Sequence, residues 1–270
     1  MKQYIRNILP CLLCFVLLGC DNWTIDNRSI FDNTAVERLS YFVEWNSPTL
    51  IDYYVARHPD VDIDTESHTF YGASLLVYAI YNGKYEAAEA LLRNGANPNF
   101  VCRDGETPLL TTWYQEKSNR YISLLLQYGA DANMITRTGG FDNGFESPLF
   151  RLSSDMPGSV EAVKLLVEKG NANIHARKKY VDDNLRVREQ NIMDYASATD
   201  SWDVMYYLIE KHGMGNYLDS TECSGQGTII EYMRHKDISK TDRQYQSYME
   251  ILDYYSRTHH LQTSSLEPKR

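Results

Sequence analysis

A short apolar pattern recurs four times along the chain, and this recurrence limits the possible folds more than any other feature of the sequence. Each copy has two aliphatic residues, two further residues, and a glycine or a histidine. The four copies are Leu91-Leu92-Arg93-Asn94-Gly95, Leu125-Leu126-Gln127-Tyr128-Gly129, Leu166-Val167-Glu168-Lys169-Gly170 and Leu208-Ile209-Glu210-Lys211-His212. They start 34, 41 and 42 residues apart. Repeats of this length are typical of solenoids, in which each supersecondary unit stacks on the next.

Each copy closes a predicted amphipathic helix. Apolar residues at i, i+3 and i+4 lie on one face of a helix. The triplets with this spacing are Ala88/Leu91/Leu92, Ile122/Leu125/Leu126, Val163/Leu166/Val167 and Met205/Leu208/Ile209. Gly95, Gly129 and Gly170 follow three of these helices, where a left-handed cap is needed, and we expect positive φ at all three.

A second set of landmarks opens the other helix of each unit. Thr107-Pro108 and Ser147-Pro148 place a hydroxyl at the N-cap and proline at the first helical position, where its missing N–H is harmless. The segment 72–79 keeps the same frame without proline. The sequence therefore predicts helix pairs joined by extended connections.

These motifs together resemble the ankyrin repeat, whose pattern is Gly-x-Thr-Pro-Leu-His-x-Ala, then Leu-Leu, then Gly-Ala-Asp-x-Asn. The matching segments are 105–109, Leu125-Leu126, 129–133, 95–99 and, with one inserted residue, 170–175. The resemblance covers about residues 70–216, with degenerate units on both sides. It implies an all-α fold, an ankyrin-repeat solenoid of stacked helix pairs with β-hairpin-like fingers. We expect five to six units over residues 34–257 and a flexible polar tail over 258–270.

One departure from the family pattern concerns hydrogen bonding between units. The histidine of the pattern is replaced by Val77, Leu110, Phe150 and Asp194. The side-chain hydrogen bonds that the histidine would make between neighbouring loops are then missing. We expect apolar contacts to replace them and the stack to be less regular.

The connections between units, or fingers, grow longer along the chain. From the cap glycine to the next helix start the intervals are 12, 18 and 21 residues, while the helices keep their length. In repeat proteins, insertions on one face usually mark the binding face. The third finger, from Arg177 to Glu189, alternates like a hairpin with a charged tip, and we expect it to be peripheral to the helical core.

Aromatic and arginine side chains on these fingers are the residue types that anchor protein interfaces. The alternative is that the aromatic rings fold back and cover the finger bases. The candidate partner-binding residues are Phe100, Arg103 and Asp104 in the first finger, Arg137, Phe141, Asp142 and Phe145 in the second, and Tyr180, Asp182, Asp183, Arg186 and Arg188 in the third.

The N-terminal residues have the features of a targeting segment. Lys2 and Arg6 precede an apolar stretch that is short for a transmembrane helix, as in a secretion signal. The stretch ends in Leu17-Leu18-Gly19-Cys20, which resembles a bacterial lipobox. This resemblance implies that residues 1–19 are removed, that Cys20 carries lipid, and that residues 20–33 form a polar tether. Asp21 resembles the signal that retains lipoproteins at the inner membrane, facing the periplasm.

The net charge, the hydropathy and the cysteine positions argue against a nucleic-acid partner, a second membrane span and an internal disulfide. The formal charge of −9 becomes −11 without the basic signal, which argues against nucleic acid as a partner. After the N-terminus the sequence has no second apolar run long enough to span a bilayer. Cys102 and Cys223 would lie about three units apart, on the order of 25–30 Å, so we predict no disulfide between them.

No catalytic pattern stands out in the sequence. Histidine pairs with zinc-ligand spacing, a Gly-x-Ser-x-Gly elbow and a phosphate-binding loop are all missing from it. We therefore expect a binding protein rather than an enzyme, with no metal, no cofactor and no small-molecule substrate.

The resemblance also suggests a partner. An acidic, lipid-tethered ankyrin stack is similar to the immunity lipoproteins that neutralise type VI secretion lipases, so the expected partner is a phospholipase-type toxin gripped by the fingers. The alternative is a scaffold or adaptor in a cell-envelope complex.

Overall fold

The computed structural model describes residues 30–137, 145–154, 158–181, 187–220 and 227–261, and these contain six consecutive helix pairs. The first helices of the pairs are α1 (Glu37–Glu44), α3 (Leu75–Tyr81), α5 (Pro108–Thr111), α7 (Pro148–Leu152), α9 (Ile192–Ala198) and α11 (Ile229–His235). The second helices are α2 (Pro48–Arg57), α4 (Tyr85–Arg93), α6 (Ser118–Gln127), α8 (Ser159–Lys164), α10 (Trp202–His212) and α12 (Tyr245–Thr258). Short turns extend α5 over Thr112–Tyr114 and α8 over Leu165–Lys169, and a 3₁₀ helix covers Met214–Asp219. None of the described helices combines the length and the apolar character needed to cross a bilayer.

Helices α5 and α7 begin at the predicted capping residues Thr107 and Ser147, and α3 begins at Ser74 in the same frame. Ser74 and Thr107 each accept a hydrogen bond from the backbone N–H three residues on, at 3.4 and 3.3 Å. Ser147 stands at the N-cap of α7 with proline next to it, although its side chain makes no capping bond. Asn191 and Thr228 form capping boxes at α9 and α11. Local chemistry thus fixes where the repeated units start.

The helices form two layers, and the core lies between them. Among the first helices, α1 contacts α3, α3 contacts α5, α5 contacts α7 and α7 contacts α9. Among the second helices, α2 contacts α4, α6 contacts α8, α8 contacts α10 and α10 contacts α12. The leucines that the repeat pattern placed on the inner face are fully buried, namely Leu91, Leu125, Leu166 and Leu208. The predicted apolar faces of the helices are therefore confirmed.

Two of the connections are short hairpins. In finger 2, β1 (Thr136–Arg137) pairs antiparallel with β2 (Phe145–Glu146). In finger 3, β3 (Lys178–Val181) pairs antiparallel with β4 (Val187–Gln190). Finger 1, over residues 96–106, contains no strand. The hairpin predicted for the third finger is confirmed.

A ladder of polar side chains joins the first four units near the finger bases. Asp64, Asn99 and Asn133 occupy equivalent positions, and each accepts a hydrogen bond from a backbone N–H of the next unit, at 3.0, 2.7 and 2.7 Å. Asn99 and Asn133 also donate to carbonyl oxygens of that next unit, both at 3.0 Å. The units are thus joined by side-chain hydrogen bonds at a position different from that of the missing histidine.

The ladder corrects the expectation that apolar contacts alone replace the histidine bonds. Val77, Leu110 and Phe150 are buried, as expected for apolar substitutes. Asp194 is also buried, but its carboxylate is used locally in the capping box with Asn191. The repeat motif contains Asn99 and Asn133, but the backbone groups that they bond to belong to the next unit and depend on how the units stack.

We expect Asn99→Ala to lower the free energy of unfolding by about 1–2 kcal/mol, because it removes two hydrogen bonds between units. Asn216→Ala is the matched control, since Asn216 is exposed in a 3₁₀ helix, and its effect should stay within about 0.5 kcal/mol. Urea unfolding followed by circular dichroism measures both values. Equal effects of the two substitutions would show that the ladder does not couple the units.

Gly170 differs from the other cap glycines. Gly95 and Gly129 have φ of +94° and +88°, as predicted, whereas φ at Gly170 is −88° and Asn171 takes the left-handed position at +53°. The π-type turn before Gly170 moves the cap one residue along the chain. Glycine is needed at position 170 for another reason, because an added Cβ would lie 2.7 Å from the carbonyl oxygen of Leu166.

The packed region begins before residue 34. Phe31 is completely buried in the helical core, where its ring meets the ring of Tyr78 edge to face at 5.8 Å between centroids. Phe31 therefore does not belong to the polar tether that was expected over residues 20–33. Residues 20–29 of that expected tether, including Cys20, lie outside the described part of the chain.

Candidate functional site

The three fingers lie side by side on the layer of first helices. Thr136 of finger 2 donates to the carbonyl oxygen of Gly105 in finger 1 at 2.6 Å, and Lys178 of finger 3 pairs with Glu146 of finger 2 at 3.0 Å. The Lys178 ammonium also lies 4.8 Å from the ring centroid of Tyr195 on α9. The fingers and the exposed sides of the first helices thus make one continuous surface, which we call the finger face.

All three candidate residues of finger 1 contact other groups of this chain. The ring of Phe100 packs on a small apolar cluster that contains Cys102, a buried free thiol. Asp104 closes the turn by accepting the N–H two residues on, at 3.1 Å. Arg103 is exposed and pairs with Glu66 at 2.9 Å. Phe100 therefore follows the alternative stated above, in which an aromatic ring folds back and covers the base of its finger.

Among the described candidates of fingers 2 and 3, three side chains are exposed and one is half-buried. Arg137 and Phe145 are exposed at the base of finger 2. Tyr180 is half-buried and stands opposite Arg188, which is exposed, in finger 3. The remaining candidates lie outside the described residues, and these are Phe141, Asp142, Asp182, Asp183 and Arg186. Partner binding by this whole set stays a prediction.

The base of finger 3 is part of the core. Only 4% of the Lys178 side chain is exposed, and it lies between the carboxylate of Glu146 and the ring of Tyr195. Finger 3 is therefore not wholly peripheral, contrary to the expectation for residues 177–189. A test of the finger must leave its base intact.

A small cleft opens between fingers 2 and 3. Its lining includes Ile135, Phe145, Phe150, Ala176 and Lys178, and its volume is about 30 Å³. Sites for drug-sized molecules enclose roughly 300–1,000 Å³. The cleft thus has room for part of one side chain of a partner, not for a cofactor.

Two linked ion pairs lie beneath the fingers. Arg151 pairs with Glu106 at 2.6 Å, and Lys178 pairs with Glu146. One oxygen of Glu106 and one of Glu146 are buried without a hydrogen-bond partner among the described residues. Burial raises the pKa of Glu106, Arg151 lowers it, and Asp104 and Glu146 raise it, with an upward net direction. Glu106 thus ionises less readily than an exposed glutamate, although Arg151 pairs with it.

A row of five aromatic rings crosses the finger face beside this cluster. Successive ring centroids lie 6.1 Å apart from Tyr71 to Phe70, 5.2 Å from Phe70 to Tyr81, 5.6 Å from Tyr81 to Tyr114, and 5.2 Å from Tyr114 to Trp113. Tyr71, Tyr81 and Tyr114 are exposed at 66%, 45% and 49%. Exposed aromatic rings in a contiguous row are a common feature of protein-binding surfaces.

Sequence reasoning missed this aromatic row. Tyr81 and Tyr114 each stand seven residues after an N-cap, Ser74 or Thr107, so the repeat frame gives them equivalent places. Aligning the two units by their caps would have brought the two tyrosines together. From the sequence alone, the 21 tyrosines fit either packing or a contact surface, and composition does not decide between the two.

The described residues contain no group of three His, Cys, Asp or Glu side chains that could hold a metal ion. The finger face presents aromatic rings and ion pairs. Such groups bind other molecules through apolar contact, cation–π contact and charge.

Comparisons with known proteins agree with this architecture. The family model described as ankyrin repeats (3 copies) matches residues 39–136. The ankyrin repeat domain of human ASB11 is similar with a TM-score of 0.52 and 20% identity, covering 80% of this chain and 82% of that chain. The ankyrin repeat protein EF0377 is similar with a TM-score of 0.56 and 18% identity, covering 81% of this chain and 97% of that one. No curated protein matches the chain.

Proposed function

The chain has the ankyrin-repeat fold, a protein–protein interaction module, and we propose that it is an immunity protein that binds and inhibits a secreted protein toxin. The observation that carries this proposal is the side-by-side arrangement of the fingers on the layer of first helices. An inhibitor needs a broad, pre-formed surface, because ordering a loose one on binding would cost affinity.

The rigid base of the fingers supports this role. Buried ion pairs link finger 1 to α7 and finger 2 to finger 3, so the bases keep a fixed spacing. The lengthened parts of fingers 2 and 3 start from these bases. On this proposal they cover or enter the catalytic cleft of the toxin.

The proposed partner is a phospholipase-type toxin that reaches the periplasm through type VI secretion. The supporting features are the lipobox-like segment ending at Cys20 and the acidic sequence. A lipid anchor would hold the inhibitor at the surface where a phospholipase acts. The net negative charge would speed association with a basic patch on the toxin.

Co-expression tests this proposal. The full chain and a lipase toxin encoded by an adjacent gene are produced in the same cells, with the toxin directed to the periplasm. We expect growth and intact phospholipid with the wild-type chain. Cys20→Ser should release the protein from the membrane fraction and reduce protection, because its concentration near the bilayer falls.

A third variant tests the fingers. Residues 182–186 are replaced by Asn-Gly, which favours a two-residue hairpin turn and leaves Lys178 in place. The variant should unfold at the same urea concentration as the wild type and protect less. Lysis of cells that make the wild-type chain would refute the immunity role, and co-purification with an envelope complex would instead support an adaptor.

A further inference from the structure

The first unit of the stack carries an aromatic cluster that is partly open to solvent. The ring centroid of Phe42 lies 6.0 Å from that of Trp45 and 5.8 Å from that of Tyr54, and Tyr54 stacks on His58 at 4.1 Å. We call these four residues the end cluster. Trp45 is 52% exposed, more than any other tryptophan that the structure describes, and His58 is also exposed.

The first unit contacts the second through a different set of side chains. Arg93 of α4 pairs with Asp52 at 2.7 Å, and Lys84 pairs with Glu44 at 3.8 Å. Asp52 and Tyr54 are two residues apart, so they point to roughly opposite sides of α2. Because the first unit of a solenoid has a neighbouring unit on one side only, the end cluster has no unit to cover it.

Two arginines flank the end cluster. Arg38 precedes Phe42 by four residues in α1, and Arg57 follows Tyr54 by three residues in α2, so each cation lies on the helix face that carries a ring of the cluster. Both arginines are exposed, and neither forms an ion pair within the described part of the chain. Tryptophan rings favour the headgroup level of a bilayer, and basic side chains next to them are attracted to lipid phosphates.

We propose that the end cluster lies in the headgroup region of the bilayer, with the ring of Trp45 inserted and with Arg38 and Arg57 at the lipid phosphates. This inference rests on the proposed function, because it requires the lipid on Cys20. Cys20 precedes the first unit in the chain, so the lipid would hold this end of the stack at the membrane. A surface that is held so near needs little affinity, since a short connection gives an effective concentration on the order of millimolar.

Quenching of tryptophan fluorescence by lipids with brominated acyl chains measures which rings reach the bilayer. The lipidated chain is purified from bacterial membranes and reconstituted into vesicles of phosphatidylethanolamine and phosphatidylglycerol. All variants carry Trp23→Phe, because Trp23 follows Cys20 closely and would be quenched wherever the stack lies. We expect quenching in this background and its loss when Trp45→Phe is added.

Trp113→Phe in the same background is the matched control. Trp113 belongs to the aromatic row on the finger face and is half-buried, and its replacement should leave the quenching unchanged. Arg38→Gln/Arg57→Gln should lower the quenched fraction, because it removes the attraction to lipid phosphates and keeps all the rings.

Three results would overturn the proposal. Quenching that survives Trp45→Phe and is lost in Trp113→Phe would place the aromatic row at the bilayer. A chain that stays in the membrane fraction without quenching would leave the end cluster in water. Self-association of Cys20→Ser in solution, abolished by Trp45→Phe and measured by sedimentation velocity, would assign the end cluster to a second copy of the chain.

The co-expression assay separates this inference from the immunity role. Full protection by a chain in which Trp45 is not quenched would overturn the membrane contact and keep the immunity role. Quenching of Trp45 in a chain that fails to protect would overturn the immunity role and keep the membrane contact.

Discussion

Replacing Lys178 with alanine is expected to lower the free energy of unfolding by about 3–5 kcal/mol. The Lys178 side chain is buried under finger 3 and pairs with Glu146, which is itself largely buried. A second oxygen of Glu146 already lacks a hydrogen-bond partner among the described residues. Without Lys178 the carboxylate would stay buried with no neighbouring ammonium, and removal of one partner of a buried pair is strongly destabilising.

The neighbouring lysine provides the matched control. Lys179 pairs with Glu189 at 3.5 Å, but its side chain is 58% exposed. Lys179→Ala should therefore change the free energy of unfolding by at most about 1 kcal/mol. The double variant Lys178→Met/Glu146→Leu should recover most of the stability lost in Lys178→Ala, because it removes both charges and keeps apolar contact.

Urea unfolding at neutral pH measures all three variants. A small effect of Lys178→Ala, equal to that of Lys179→Ala, would mean that water reaches the finger base. The same result would remove the support that we assign to the ion pairs in fixing the spacing of the fingers.

Replacing Phe31 with alanine is expected to destabilise the N-terminal part of the stack by about 3–5 kcal/mol. The ring is fully buried and meets Tyr78 of α3, so it closes the open end of the first two units. Units of a solenoid contact only their neighbours, and the loss should therefore be concentrated near this end. Hydrogen exchange resolves the effect by position, with faster exchange in α1 to α4 than in α10 to α12.

Asp32→Ala is the control for this second prediction. Asp32 is the next residue but is only half-buried, and its replacement should change stability by about 0.5 kcal/mol or less. Unchanged protection of α1 to α4 in Phe31→Ala would show that the first units fold without this ring. The packed region would then begin near residue 34, as the sequence suggested.

The sequence predicted the elements of this fold because their signals are local. The i, i+3, i+4 triplets define helix faces, and Thr107-Pro108 defines a helix start within a few residues. The hairpin of finger 3 was likewise readable from its alternation of side chains. These features do not depend on how one unit stacks on the next.

The features that sequence reasoning missed all arise between units. Asn99 bonds to the following unit, and Tyr81 meets Tyr114 across a unit boundary. Lys178 looks like a surface lysine until the stack brings Glu146 beside it. Such contacts depend on the rotation from unit to unit, which the lengths of the repeats do not specify.

The burial of Phe31 limits the distance between position 20 and the first helix pair. Eleven residues separate position 20 from position 31, and a fully extended chain of that length spans at most about 40 Å. A lipid on Cys20 would therefore confine the first helix pair to a shell of that thickness above the headgroups. Under the proposed function, a toxin would then meet the chain only close to the bilayer.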